Sequence, residues 1–220
     1  MSRPERNSIR QDAALFMVAG AATAVAGSVL FFGMQPVTDL SDEMWRYPWE
    51  SSGAFVAFSI FSALLHALVA VGIVAFGRSG AAGRSRAATA GVALAVAGTA
   101  LLLVGELLSI PVRDAQVDES SATLVGAVFG VAGTLSMIGF LVLGWATLRA
   151  GIWHDWRRFT PLVTGVWLSA MTVLSSAFPT ALHGMVGVYG VCLLAMAVAL
   201  YTDPAPAVAE RVGDVRLQRA

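Results

Sequence analysis

Apolar residues recur in long runs that are separated by short polar segments. The first four runs cover residues 13–33, 53–77, 87–110 and 122–148, and they are nearly free of charged side chains. A helix that crosses the roughly 30 Å hydrocarbon core of a bilayer needs about 20 apolar residues. Each run therefore predicts one membrane-spanning helix.

A fifth and longer run extends from 159 to 201, and His183 is the only ionisable side chain within it apart from Cys192 and the tyrosines. As a single helix it would be about 64 Å long, twice the thickness of a membrane. Ser175, Ser176 and Pro179 supply turn formers and a helix breaker near its middle. The run therefore predicts two helices, at 159–176 and 179–201.

Composition supports a membrane environment. The chain is 57% hydrophobic and 13% charged, with a mean hydropathy of +0.73, far from the average of soluble proteins. We therefore predict an all-α integral membrane bundle of six transmembrane helices. Cys192, the single cysteine, lies in an apolar run, which favours a buried structural thiol over a nucleophile or a metal ligand.

All fourteen basic residues are arginines, and their placement predicts the orientation of the chain. Short cytoplasmic loops of membrane proteins are enriched in positive charge. Only Arg46 and Arg113 fall in the first and third connections, whereas the others lie in the termini and in the second and fourth connections: Arg3, Arg6, Arg10, Arg78, Arg84, Arg86, Arg149, Arg157, Arg158, Arg211, Arg216 and Arg219. We expect a plasma-membrane protein with a cytoplasmic N-terminal tail (1–12), a transmembrane domain (13–201) and a cytoplasmic C-terminal tail (202–220).

Aromatic and small residues refine this picture. Trp145, Trp153, Trp156 and Tyr201 fit an interfacial aromatic belt on the inner side. Similar motifs at 25–28, 96–99 and 131–134 predict that the first, third and fourth helices meet through small residues. Glycines spaced along the sixth helix predict a groove that takes a neighbouring helix: Gly184, Gly187 and Gly190. The first and fourth helices also align, with Gly20 matched to Gly126 and Gly27 to Gly133, as in a 3+3 inverted repeat.

Three ionisable side chains within the predicted spans are candidates for a substrate or proton pathway: Glu106, His183 and His66. Glu106 and His183 lie at a similar depth near the outer surface. They either form a pair, as a proton-transfer couple, a cation site or half of a metal site, or each reaches the outer water separately. His66 lies in the middle of the second helix, so we expect it to face the bundle interior and to bond with Thr99, Thr172 or Tyr189.

The first outer loop, 34–52, combines aromatic and charged residues that are candidates for an interaction surface: Asp42, Glu43, Trp45, Arg46, Tyr47 and Trp49. Such a pattern suits a short interfacial helix that lies over the mouth of the bundle. A simple anchoring loop without a ligand is the alternative.

Several of these residues occur in segments that resemble two groups of membrane proteins. The segments 42–49, Gly105-Glu106-Leu107 and 156–162 resemble those of a group of actinobacterial six-helix multipass membrane proteins of unassigned function, which implies the architecture and no activity. The order of Trp45-Arg46, His66 and His183-Gly184 is similar to that of rhomboid intramembrane proteases. The fourth helix, however, has no serine near its outer end. Ser136 lies at mid-depth, so a Ser–His dyad is not expected.

Three classes of function remain open. The chain is a small transporter or an ion- or proton-coupled carrier, an accessory or sensory protein that binds a partner through its outer loop, or a membrane enzyme that acts on lipid. No catalytic residue, metal site or cofactor is predicted. The expected partners are the lipid bilayer and either another membrane protein or a second copy. Nucleic-acid binding is not expected, because the arginines form no basic patch interleaved with aromatics.

Overall fold

The structure is a computed structural model that describes residues 2–202. Within this range the chain forms six α-helices and no β-strand, which confirms the all-helical fold. A π-helix at Val29–Met34 extends the first helix, and 3₁₀ turns at Asp155–Phe159 and Pro179–Ala181 precede the last two. The helices are α1 (Arg3–Ser28), α2 (Ser52–Ser79), α3 (Arg86–Ser109), α4 (Ser120–Ala150), α5 (Thr160–Ala177) and α6 (Leu182–Thr202). All but the first residue of the predicted C-terminal tail lies outside the described residues.

The helices form a closed ring. Each helix packs against its neighbours in chain order, and α6 returns to pack along α1. The two most extensive contacts are those of α3 with α4 and of α1 with α6. Because consecutive helices run in opposite directions, the N-terminus, the α2–α3 turn and the α4–α5 connection share one end of the bundle. The connections α1–α2, α3–α4 and α5–α6 share the other end, which we call the outer end.

Among the described residues, five helical segments are long and apolar enough to cross a membrane: Arg3–Met34, Ser52–Ser79, Arg86–Ser109, Ser120–Ala150 and Pro179–Thr202. In the first four, only 28% of the most apolar stretch is buried inside the bundle. Large apolar side chains instead face outward, such as Val18 at 59% and Leu124 at 69% exposure. Soluble proteins rarely expose so much contiguous apolar surface to water, so the fold is that of a membrane protein.

The first helix begins earlier than the hydrophobic pattern predicted. Ser2 and Glu5 form a capping box, and Pro4 occupies the first turn, where its missing N–H costs nothing. Ile9 is buried at 1% exposure, and a carboxylate oxygen of Asp12 forms an ion pair with a guanidinium nitrogen of Arg78 in α2 at 3.3 Å. The predicted N-terminal tail, 1–12, is therefore helical from Arg3 onward and packs on the bundle.

Small residues bring two helix pairs into backbone contact. A Cβ atom added at Gly27 of α1 would lie 2.6 Å from the Cα of Gly187 in α6, and one added at Gly139 of α4 would lie 2.7 Å from the Cα of Ala95 in α3. The predicted groove of α6 thus receives α1. The prediction that the first, third and fourth helices meet is wrong for the first helix, because its glycines face α6.

The chain order of these pairs is what a 3+3 inverted repeat requires, since α1–α6 would correspond to α4–α3. The matched glycines nevertheless differ in their surroundings. Gly20 and Gly27 contact the backbone of α6, whereas Gly133 has nothing near its Cβ position and Gly126 touches only the edge of Trp45. The repeat therefore remains a prediction.

The inner end is closed by Trp153, which was predicted to lie at the membrane interface. Its side chain is 2% exposed and packs edge-on against Phe76 of α2, with ring centroids 5.1 Å apart. Trp145, Trp156 and Tyr201 are about half exposed, as interfacial residues are. Trp153 is therefore part of the core and not of the aromatic belt.

Candidate functional site

The first and second outer loops fold together into a structure that we call the outer cap (residues 41–50 and 112–117). The backbone N–H of Trp45 donates to the carbonyl of Ala115 at 3.0 Å, and the N–H of Val117 donates to the carbonyl of Glu43 at 2.8 Å. Met44 and Gln116 form the bridge between the two segments. The interfacial helix predicted for this loop does not form, because the backbone bonds to the second loop.

Arg46 joins the two segments of the outer cap, and Ser52 connects the cap to α2. Its side chain is 18% exposed and lies 3.2 Å from the carboxylate of Asp114. One terminal nitrogen of Arg46 also donates to the carbonyl of Glu50 at 2.6 Å, and Ser52 at the start of α2 donates to Asp114 at 2.8 Å. A predicted interaction residue is thus a structural element of the cap.

The three aromatic candidates pack inward on different helices. Trp45 lies against Phe129 of α4, Trp49 lies against Phe58 of α2 with ring centroids 4.9 Å apart, and the Tyr47 ring lies 6.5 Å from that of His183. Asp42 and Glu43 are exposed. The aromatic side chains therefore cover the outer end of the bundle, and the acidic side chains form the free edge of the cap.

His183 is held by a residue that the sequence analysis missed. The π-helix at the end of α1 delivers Gln35, whose amide nitrogen donates to the carbonyl of Thr180 at 3.0 Å and lies 2.9 Å from Nδ1 of His183. Because this amide nitrogen is the donor to both, Nδ1 of His183 is an acceptor and the ring proton is on Nε2. The only local signal was a glutamine directly after an apolar run.

Glu106 and His183 do not form the predicted pair. His183 is committed to Gln35, and no described side chain forms a hydrogen bond or an ion pair with the Glu106 carboxylate. The two residues lie on α3 and α6, which are not neighbours in the ring. Depth in the membrane was readable from the sequence, but the arrangement of the helices was not.

His66 faces the bundle interior, as predicted, because it shares a helical face with the buried residues Ser59, Ser62, Val69 and Ile73. Its Nδ1 atom is buried and has no hydrogen-bond partner within residues 2–202. The predicted partners do not reach it: Thr172 donates to the Leu168 carbonyl at 2.9 Å, and the hydroxyls of Thr99 and Tyr189 are themselves without partners.

Four buried polar atoms without a hydrogen-bond partner in the described part of the chain lie near the midpoints of their helices: Nδ1 of His66 and the hydroxyl oxygens of Thr99, Ser136 and Tyr189. We call them the central polar belt: His66 of α2, Thr99 of α3, Ser136 of α4 and Tyr189 of α6. At about 1.5 Å per residue, each lies within about 5 Å of the midpoint of its helix. An unsatisfied polar group in an apolar interior costs about 1–3 kcal/mol, so the belt is a place where water or a polar ligand would be stabilised.

Polar residues continue from the belt toward the outer end on two adjacent helices. On α2, Ser62 and Ser59 follow outward from His66 on the same face, and both are buried. On α3, Glu106 lies seven residues beyond Thr99 and therefore on the same face, about 10 Å farther out. Both helices thus carry polar side chains in their outer halves.

The remaining chemistry of the bundle is sparse. No group of three or more potential metal ligands occurs among the described His, Cys, Asp and Glu residues. Ser136 lies on α4 and His183 on α6, helices that are not neighbours in the ring, so these two residues do not form the Ser–His pair of rhomboid proteases. Comparison with known protein families, curated proteins and solved structures found no match to this chain.

Proposed function

We propose that the chain spans the plasma membrane six times, with its arginine-rich end in the cytoplasm. The described arginines support this orientation, because only Arg46 and Arg113 lie at the outer end, where seven acidic residues also lie: Asp39, Asp42, Glu43, Glu50, Asp114, Asp118 and Glu119. α5 would be the sixth span. Its 18 residues measure about 27 Å, close to the hydrocarbon thickness, and it packs against both α4 and α6.

We further propose that the protein is a small carrier that moves protons or a small cation across the membrane. The observation that carries this proposal is the imidazole of His66 at the middle of α2, whose Nδ1 atom is buried and has no hydrogen-bond partner among the described residues. A titratable side chain at that depth is costly, and residues of this kind within membrane spans mark ion or proton pathways. Imidazole exchanges protons near neutral pH, and its lone pair accepts a cation or a water molecule.

The route would follow the polar side chains in the outer halves of α2 and α3. From the central polar belt it runs outward along Ser62 and Ser59 on one side and toward Glu106 on the other. Glu106 has no partner within residues 2–202 and is available to receive a proton or to coordinate a cation. The outer cap lies over this end of the bundle, so the route would open when the cap moves.

Flux measurements in proteoliposomes test the carrier directly. We expect purified protein to collapse an imposed proton or monovalent-cation gradient, as reported by a trapped pH-sensitive or cation-sensitive dye. His66→Phe and Glu106→Gln should each reduce the flux by about tenfold or more. His154→Gln is the matched control, because His154 is exposed in the inner connection and should leave the flux unchanged.

The outcome that excludes a carrier is clear-cut. If the wild-type protein moves neither protons nor monovalent cations, or if His66→Phe keeps full flux while its helical content is native, the central histidine is structural and the proposal fails.

A second function is favoured by one specific observation, the free acidic edge of the outer cap. Asp42 and Glu43 are exposed while the aromatic residues of the cap are packed against the helices. This edge would suit an accessory role in which a basic extracellular segment of another membrane protein binds the cap. Asp42→Asn/Glu43→Gln should then abolish cross-linking to that partner in cells while leaving flux unchanged, and unchanged cross-linking would exclude the role.

A further inference from the structure

An apolar groove lies at the inner end of the bundle, between α2 and α3. Its volume is about 560 Å³, which falls in the range of about 300–1,000 Å³ that small-molecule sites occupy. The lining consists of small and β-branched apolar residues, among them Val74, Gly77, Ala82, Val92, Ala93 and Val96. None of the three pathway candidates borders this groove, so it is separate from the central polar belt.

The sequence explains why the groove is open. Gly80 and Gly83 both adopt positive φ angles, 77° and 73°, and the N–H of Gly83 donates to the carbonyl of Gly80 at 2.8 Å. Only glycine takes this conformation without strain, so the turn is short and carries no bulky side chain over the groove. Ala93 and Ala97 on α3 are exposed, which leaves the groove facing the hydrocarbon of the inner leaflet.

One arginine lines the groove, and two more lie in the α2–α3 turn between the lining residues Gly83 and Ala88. Arg78 lines it directly and is partly neutralised by Asp12, at 3.3 Å. Arg84 and Arg86 are exposed in the α2–α3 turn, and within residues 2–202 their side chains form no hydrogen bond or ion pair. Two uncompensated positive charges therefore lie in the turn that borders the apolar groove.

We propose that this groove is a binding site for one anionic phospholipid. An acyl chain would occupy the apolar lining from the mouth to about the midpoint of α3, and the headgroup phosphate would bind Arg84 and Arg86. Cationic clusters beside apolar clefts on the cytoplasmic side attract anionic headgroups, and arginine matches the geometry of phosphate oxygens. A soluble anion would leave the apolar lining empty, and a neighbouring helix would leave both charges unpaired, so the charge at the mouth favours a lipid.

Native mass spectrometry tests the site. The protein is reconstituted in nanodiscs of equal phosphatidylglycerol and phosphatidylcholine, released in the gas phase and examined for retained lipid. We expect one phosphatidylglycerol to be retained preferentially. Arg84→Gln/Arg86→Gln should reduce that preference by about tenfold, whereas Arg157→Gln/Arg158→Gln, which removes two arginines from the α4–α5 connection at the same end, should preserve it.

A second variant addresses the apolar part of the site. Ala93→Phe fills the groove from its exposed side and should abolish retention of the lipid, while Val166→Phe on the lipid-facing surface of α5 is the matched control and should not. The proposal is overturned if wild-type protein retains both lipids equally, or if the control arginine pair lowers the preference as much as Arg84 and Arg86 do. It is also overturned if filling the groove has no effect in a protein of native melting temperature.

Discussion

Two glycines on one helix provide a direct measure of how tightly the bundle is packed. Gly139 and Gly133 both lie within α4, six positions apart. A Cβ atom at Gly139 would lie 2.7 Å from the Cα of Ala95 on α3, whereas a Cβ atom at Gly133 would have nothing within 4 Å. Replacing each with alanine therefore makes the same chemical change in two opposite environments.

The loss of stability expected for Gly139→Ala follows from the distance by which the extra methyl group would push the two helices apart. Carbon atoms pack best at about 3.5–4.0 Å, so α3 and α4 would have to move apart by about 1 Å near Ala95. Overpacking of this kind costs about 1–3 kcal/mol, and sometimes more where the obstructing atoms are backbone. The gain of up to about 1 kcal/mol in helix propensity from glycine to alanine is common to both variants and cancels in their difference.

We therefore expect the free energy of unfolding of Gly139→Ala to be about 1–3 kcal/mol lower than that of Gly133→Ala. Titration with sodium dodecyl sulfate in mixed micelles, followed by circular dichroism, gives both free energies of unfolding. Equal stability of the two variants would show that α3 and α4 are not in backbone contact at Ala95, and would refute this packing.

Two further substitutions test the two ends of the bundle by the same unfolding assay. Gln35→Leu removes the hydrogen bonds to Thr180 and His183 and should lower the free energy of unfolding by about 1–3 kcal/mol, so an unchanged value would contradict the contact between α1 and α6 at the outer end. Trp153→Ala should lower the free energy of unfolding by about 3–5 kcal/mol, because it leaves a cavity in the core. Trp156→Ala is the control, because Trp156 is 48% exposed and its loss should change stability by less than about 0.5 kcal/mol. Similar losses for the two variants would contradict the burial of Trp153 in the core.

Much of the fold could be predicted because lipid imposes a simple rule on the sequence. A helix must hide its backbone polar groups over the whole hydrocarbon thickness, so the length of each apolar run gives the position of a helix. α2, predicted at 53–77, forms at Ser52–Ser79, and α3, predicted at 87–110, forms at Arg86–Ser109. The helical start at Arg3 was missed because it depends on a capping box and on packing rather than on hydrophobicity.

The arrangement of the helices was harder to predict, because a motif of small residues specifies a surface and not its partner. Gly27 and Gly133 occur in nearly identical local sequences, yet the first contacts α6 and the second has an open Cβ position. For the same reason the depth of Glu106 and His183 was accessible from the sequence, whereas their separation on different sides of the ring was not.

Some features of the candidate sites could be predicted from the sequence, and others could not. That His66 faces inward could be read from its position at the middle of an apolar run, since snorkelling to water is hardest there. The outer cap could not be predicted, because its hydrogen bonds join Trp45 and Glu43 to a loop about 70 residues away in the chain. A local pattern of aromatic and charged residues does not indicate a contact over that distance.

Side-specific labelling of the α5–α6 turn and the α2–α3 turn tests the six-span arrangement most directly. Cys192→Ala removes the native thiol, after which Thr180→Cys and Ser85→Cys each introduce a single reactive position at opposite ends of the bundle. In intact cells, a membrane-impermeant maleimide should label the protein carrying Thr180→Cys, and the one carrying Ser85→Cys only after the membrane is opened. Labelling at position 85 in intact cells, or protection at position 180 until lysis, would contradict the six-span topology with its arginine-rich end in the cytoplasm.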